Sequence, residues 1–211
     1  MRDLLVGCCY DVLRAIGWLI LRVGCRLEVR GRQHLPRQGG VVLASNHRSF
    51  LDPVVVGVAC PRRLVFLARA DLFAVPWLGG FMRFMQARSI DRHALETGLR
   101  DAIRCLRRGQ AVIIFPEGGR QYSGQLGVAK PGVGLLAAGA KVPVVPVFVE
   151  GTREALPPGS KWLHPAKIRV AFGPQIGYPE RRLSSAVYQQ IAQDLTASWR
   201  RLHDTHGRDT A

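Results

Sequence analysis

The sequence predicts an α/β fold: a single domain with a mixed, mostly parallel central sheet flanked by helices, preceded by one long amphipathic helix. Three observations carry this. Short apolar runs alternate with stretches of helical periodicity between residues 40 and 203. Several of those runs are apolar at consecutive positions, the pattern of strands covered on both faces. The 211 residues, 47% hydrophobic and 21% charged, suffice for one core and contain no repeat at solenoid period.

Residues 1–27, "MRDLLVGCCYDVLRAIGWLILRVGCRL", open the chain. Asp11, Arg14 and Arg22 break every apolar run well short of the ~20 residues a spanning helix needs. No small-residue cleavage site follows. On a helical wheel Asp3, Asp11, Arg14, Arg22 and Arg26 share an arc of about 140°. Leu5, Val6, Tyr10, Val12, Leu13, Ile16, Leu19, Ile20 and Val23 fill the rest. Such a wide face either packs on the protein's own core or lies in a membrane interface with its arginines toward the headgroups. The second is expected, because the face is wider than one side of a small domain covers and the rest of the chain is basic.

The domain spans residues 28–203. After the turn-rich "GRQHLPRQGG", strands are expected at 40–45, 64–68, 111–115, 142–149 and 167–172. Helices are expected at 53–59, 76–85, 92–108, 131–140 and 183–202. The stretch 92–108 carries Leu95, Leu99, Ile103 and Leu106 at helical spacing and stops before Gly109. Residues 204–211 read as a frayed tail.

Thirty Lys and Arg against 15 Asp and Glu give a net charge of +15. That surplus faces an anion: nucleic acid, a phospholipid surface or a phosphorylated substrate. No recognition motif with interleaved aromatics supports nucleic acid. Cys8, Cys9, Cys25, Cys60 and Cys105 form no C-x-x-C pair and have no histidine at zinc-ligand spacing. A reducing compartment, no structural disulfide and no metal are expected. His34, His93, His164, His203 and His206 have no ligand spacing either and are expected at the surface. Trp162 is expected at a membrane surface, and Trp18 either there or in the core.

Three strand ends gather polar residues, which is where sites form in α/β domains. "SNHRSFLDP" follows strand 40–45 and sets His47 five places before Asp52. On a continuous helix that spacing leaves the side chains roughly 140° apart; fully extended it leaves them about 17 Å apart. If they cooperate, the chain bends between them, with His47 ahead of a helix and Asp52 just inside it. A histidine supported by a buried carboxylate is a general base near neutral pH. The bland alternative is a surface histidine and an unrelated capping aspartate. Ser49 lies between the two, but no G-x-S-x-G elbow makes it a nucleophile. The base would then activate a substrate hydroxyl directly, with no covalent intermediate.

"FPEGGR" (115–120) follows strand 111–115 and joins Pro116, Glu117, two glycines and Arg120, a residue suited to bidentate phosphate contact. Arg69 follows strand 64–68. Neither a Walker A pattern nor G-x-G-x-x-G is present, so no nucleotide cofactor is expected.

The order N-H-x-x-x-x-D, Ile-Asp-Arg, F-P-E-G-x-R and V-P-V-V-P-V, running from about Leu27 to Gly151, resembles the glycerolipid acyltransferases. It is most similar to the 1-acyl-sn-glycerol-3-phosphate (lysophosphatidic acid) acyltransferases. The resemblance implies that His47 is the general base and Asp52 its partner. It implies that Glu117, Gly118 and Arg120 form the glycerol-phosphate site, with Arg92 of "SIDR" in the second block. Arg69 stands where many relatives have a lysine near the phosphate, which keeps the charge and changes the geometry. Gly119 replaces the commoner threonine of F-P-E-G-T-R, and Pro143 and Pro146 would shape a strand near the acyl donor.

The implied reaction moves a fatty acyl group from a thioester, acyl-CoA or acyl carrier protein, to the 2-hydroxyl of lysophosphatidic acid. The product is phosphatidic acid, and nothing beyond the co-substrate is needed as cofactor. Anionic membrane lipids are the implied partners and the cytoplasmic face of a membrane the implied location, peripheral or monotopic. Two alternatives stand beside it. One is acylation of another lyso-lipid. The other is a non-catalytic anionic-lipid binding protein, against which His47, Asp52, Glu117 and Arg120 count.

Overall fold

Valine-rich runs build the centre of the molecule. The computed structural model describes residues 2–69, 88–90, 95–121, 125–160, 162–177 and 184–208. Its strands are β1 (Glu28–Arg30), β2 (Val41–Ser45), β3 (Leu64–Arg69), β4 (Arg88–Ile90), β5 (Ala111–Ile114), β6 (Val144–Glu150) and β7 (Arg169–Phe172). These seven, counted among the described residues, form one sheet in the order β1-β7-β6-β2-β5-β3-β4. All neighbours are parallel except β6 and β7. The mixed, mostly parallel sheet is as expected. β1 and β4 are additions, each three residues long and too short to show a period.

Both faces of the sheet are covered, and side chains alternate between them with the strand period of two. Val41 and Leu43 of β2 and Val145, Val147 and Val149 of β6 enter one core. Val42, Ala44, Val144 and Phe148 enter the other. Helices α1 (Arg2–Gly24) and α2 (Asp52–Ala59) cover the first face. Helices α3 (Leu95–Arg107), α4 (Gly132–Ala140) and α6 (Ser185–Arg208) cover the second; the single turn α5 (Thr152–Ala155) follows β6. Trp199 of α6 is fully buried, and its indole N–H donates to the Ala44 carbonyl at 3.0 Å.

Pro146 sits inside β6, where a proline would break a ladder. Its residue faces the β7 side just past the end of that strand, and its carbonyl accepts the Gly173 N–H at 2.8 Å. The ladder to β2 is therefore intact. Pro143 lies at the end of β6 remote from Glu150.

α1 uses its circumference in two ways. Tyr10, Leu21 and Cys25 are buried on the domain, Trp18 packs at the edge of that core, and Gly17 lies against Val58. Arg14 donates to the Cys60 carbonyl at 3.0 Å, and Asp11 pairs with Arg63 at 2.9 Å. Val12, Leu13, Ile16, Leu19, Ile20 and Val23 point outward, Leu19 63% and Val23 74% exposed. The two readings of the wheel thus divide one helix: part of the charged arc docks, together with Tyr10 from the apolar arc, while Val12, Leu13, Ile16, Leu19, Ile20 and Val23 of that arc face away. No helix among the described residues is long and apolar enough to cross a membrane.

The helix expected at 76–85, with Trp77, and the start of the one expected at 92–108 lie outside the described residues. α6 corrects the expected end at residue 202 and takes residues 204–208 from the expected frayed tail. No proline stops it there, and Thr205 Oγ1 donates back to the Arg201 carbonyl at 2.6 Å.

Candidate active site

Parallel pairing brings the carboxyl ends of β2, β3, β5 and β6 to one edge of the sheet. The loops that leave them carry the polar residues. Asn46, fully buried, begins the turn: Nδ2 donates to the Val149 carbonyl (2.9 Å) and Oδ1 accepts the Val149 N–H (2.7 Å). Its amide thus continues the β2–β6 ladder while the backbone turns away. The chain then bends as the five-residue spacing requires, and Asp52 is the first residue of α2.

His47 Nδ1–H donates to Asp52 Oδ2 at 2.8 Å. The backbone N–H groups of Arg48 (2.6 Å) and Ser49 (2.8 Å) donate to the same oxygen. Thr152 Oγ1 donates to Oδ1 at 2.5 Å. Asp52 is fully buried, and its charge meets four donors, as a buried carboxylate must. The His47 side chain remains 18% exposed, and Nε2 makes no hydrogen bond among the described residues. Ser49 is buried, its hydroxyl donating to the Leu156 carbonyl and accepting the Leu51 N–H. It is spent on the turn.

The loop after β5 closes over this pair. The Phe115 ring stacks on the imidazole with centroids 4.2 Å apart. Glu117, only 6% exposed, accepts the His47 N–H on Oε2 (2.9 Å) and the Gly127 N–H on Oε1 (3.2 Å). The Gln121 N–H donates to the His47 carbonyl at 2.8 Å. Gly118 has φ +79°, a backbone conformation that favours glycine, and Lys130 Nζ lies over it, 2.5 Å from where a Cβ would stand. The Arg120 guanidinium lies 3.5 Å from the centroid of the exposed Phe50 ring. Arg120 and Lys130 therefore set two cations along the loop.

The structure brings His47, Asp52, Glu117, Gly118 and Arg120 to one edge of the sheet. Glu117 turns its carboxylate to the chain's own backbone and braces the two loops. Arg69 ends β3 at the same edge; its side chain, and Arg92 altogether, lie outside the described residues. Sequence reasoning missed Asn46, Thr152 and Lys130. Only the asparagine carried a signal, its place directly before the histidine.

Burial pushes the Glu117 carboxyl above its ordinary 4.5, and the amides of His47 and Gly127 pull part of the way back. The folded state then holds that proton more tightly than the unfolded chain, so this group costs stability as pH rises. The cost grows from the ordinary carboxyl value up to the raised folded value and is constant above it. Glu117→Gln removes this component: the Tm difference between wild type and variant should change across that window and stay level above it. A difference independent of pH would mean the carboxyl is not displaced.

A family model described as acyltransferase matches residues 26–150, more than half of the chain, including the loops after β2 and β5 but not Thr152. The 1-acyl-sn-glycerol-3-phosphate acyltransferase of Bacillus subtilis (strain 168) is 30% identical over 167 residues, covering 78% of this chain and 79% of that one. The chain belongs to the acyltransferase family, among the 1-acyl-sn-glycerol-3-phosphate acyltransferases. A chloroplastic member from Brassica napus is 31% identical over 176 residues, 81% of this chain. The chain spans about half (51%) of that plant relative's length. The fold is shared with the crystal structure of a 1-acyl-sn-glycerophosphate acyltransferase, PlsC, from Thermotoga maritima: TM-score 0.79, 20% identity, 96% of this chain and 83% of that one. The family match begins at Arg26, so α1 falls outside it.

Proposed function

We propose that this chain transfers a fatty acyl group from a thioester, on coenzyme A or acyl carrier protein, to the 2-hydroxyl of 1-acyl-sn-glycerol-3-phosphate, giving phosphatidic acid for phospholipid synthesis. The observation that carries the reading is the His47–Asp52 pair: Nδ1 is held by a fully buried carboxylate, and Nε2 is left without a partner among the described residues. Nε2 takes the proton of the acceptor hydroxyl as its oxygen attacks the thioester carbonyl. The tetrahedral intermediate collapses, the C–S bond breaks, and the imidazolium returns its proton to the departing thiolate. Asp52 fixes the tautomer and balances the imidazolium charge. Every atom and proton is accounted for by acceptor, donor and His47. Arg120, with Lys130 beside it, supplies positive charge for the acceptor phosphate.

The site opens beside apolar surface. Phe50 is exposed, and Trp162 (80% exposed) and Leu163 stand on the loop before β7. That loop is tied to α5 by His164 N–H to Ala155 O (2.8 Å) and approaches the end of α1 where Cys25 Sγ lies 3.9 Å from the His164 carbonyl. With the outward stripe of α1, these residues suit a chain lying in the membrane interface at the cytoplasmic face, where its lipid acceptor resides.

The test is ester formation by the full chain with a panel of lyso-lipids and both thioester donors. Lysophosphatidate should give the highest kcat/KM. Equal or better turnover of acceptors without the phosphomonoester would move the assignment to another lyso-lipid. Arg120→Ala should raise KM for lysophosphatidate about 10- to 100-fold, since a hydrogen bond to a charged group contributes about 1.5–3 kcal/mol. Thr152→Val leaves a buried carboxylate oxygen without its donor and should lower kcat about tenfold, with Thr152→Ser restoring most of it. If valine loses only thermal stability and no rate, Thr152 does not position Asp52 for the chemistry.

A further inference from the structure

The amino ends of the parallel strands, opposite His47, carry a second cationic site. An open cavity of about 460 Å3 lies there, with Arg32, Gln33, Pro36, Arg37, Pro61 and Arg62 in its lining and no carboxylate. Arg62 is fixed: Nη1 donates to the Pro36 carbonyl (2.9 Å) and Nη2 to those of Gly39 (2.7 Å) and Gly109 (2.8 Å). Arg32 donates from Nε to the Ala59 carbonyl (3.0 Å), its guanidinium 4.7 Å from the centroid of the Trp18 ring. Among the described residues no ion pair engages Arg32, Arg37 or Arg62, and Asp11 nearby is committed to Arg63 and Arg14. Burial lowers the proton affinity of Arg32 and Arg62, and Arg14 adds repulsion at Arg32. Three cations line the cavity, and among the described residues no carboxylate does.

We propose that this cavity binds a phosphate-bearing anion. The donors of Arg32 and Arg37 that face no carboxylate would hold its oxygens, and Arg62 supplies fixed charge behind them. Trp18 ties the site to α1, whose Ile16, Leu19 and Ile20 face outward. A phospholipid in a bilayer beneath α1 could place its headgroup in the cavity, and a free phosphate would satisfy the same donors. The site is separate from the His47 loops, so it stands whatever the acceptor proves to be.

The test uses the full chain without acyl donor, in two arms. One is co-sedimentation with phosphatidylcholine vesicles with and without phosphatidic acid. The other is thermal stabilisation by inorganic phosphate. Arg32→Gln/Arg37→Gln removes two cations, and Gln33→Glu adds a carboxylate to the lining without removing a cation; both leave the three carbonyl bonds of Arg62. Arg104→Gln/Arg200→Gln makes the same charge change as the first on helices α3 and α6, over the other face of the sheet. The cavity variants should lose phosphatidic-acid-dependent binding about tenfold beyond the control, or lose the response to phosphate. Loss in the vesicle arm alone identifies a lipid headgroup, loss in the phosphate arm alone a free anion, and loss in both a phosphate from either source. Cavity variants that match the control on vesicles and the wild type in phosphate would overturn the proposal.

Discussion

His47→Ala should abolish acyl transfer while leaving the fold and vesicle binding in place. A general base in the transition state is typically worth about 10²–10⁴-fold, and among the described residues no second base stands ready. Ser49 is buried in the turn, and Glu117 is engaged by two backbone amides. The substitution is also a clean one. The imidazole is partly exposed and stacked on Phe115, so its loss opens the loop rather than the core. Asp52 is a poorer probe: removing it strands four donors in the interior, including two backbone amides, and a buried donor without an acceptor costs roughly 1–3 kcal/mol. The readout is labelled ester formed per enzyme, with circular dichroism to confirm the fold. Wild-type turnover by this variant would remove proton abstraction by His47.

Leu19→Asp/Val23→Asp should release the protein from vesicles without lowering its Tm. Both side chains point away from the domain, so the folded state loses no packing. Burying a large apolar side chain is worth about 1.5–3 kcal/mol, so losing two such contacts should weaken partitioning by about a hundredfold or more. Transfer to acceptor held in vesicles should fall in step, and transfer to detergent-dispersed acceptor should not. Deleting residues 1–27 is a less discriminating experiment, because it also strips Leu21, Cys25 and Leu27 from the first core. Retention of the double variant on vesicles would show that the stripe on α1 is not the membrane contact.

The stripe shows how far a wheel can be read. Periodicity separated charged from apolar positions, yet Tyr10 and Val23, both on the apolar arc, have opposite fates: one buried, the other 74% exposed. What decides between them is where Cys60 and Arg63 stand in the folded chain, and no local pattern encodes that. Glu117 is similar. Its place in "FPEGGR" marked it for the site, but its work, bracing the amide of His47 70 residues away, becomes visible only when β2 and β5 lie side by side.

By itself the sequence determined the α/β layering, the strands at 40–45, 111–115 and 142–149, and the need for a bend between His47 and Asp52. All of these follow from patterns or distances within a few residues, which local sterics and periodicity set. The tertiary structure alone decided which oxygen Thr152 meets across 100 residues of chain, which cation lies over Gly118, and which side of α1 faces out. Those contacts depend on strand order and register, and each is fixed by the burial of many side chains together.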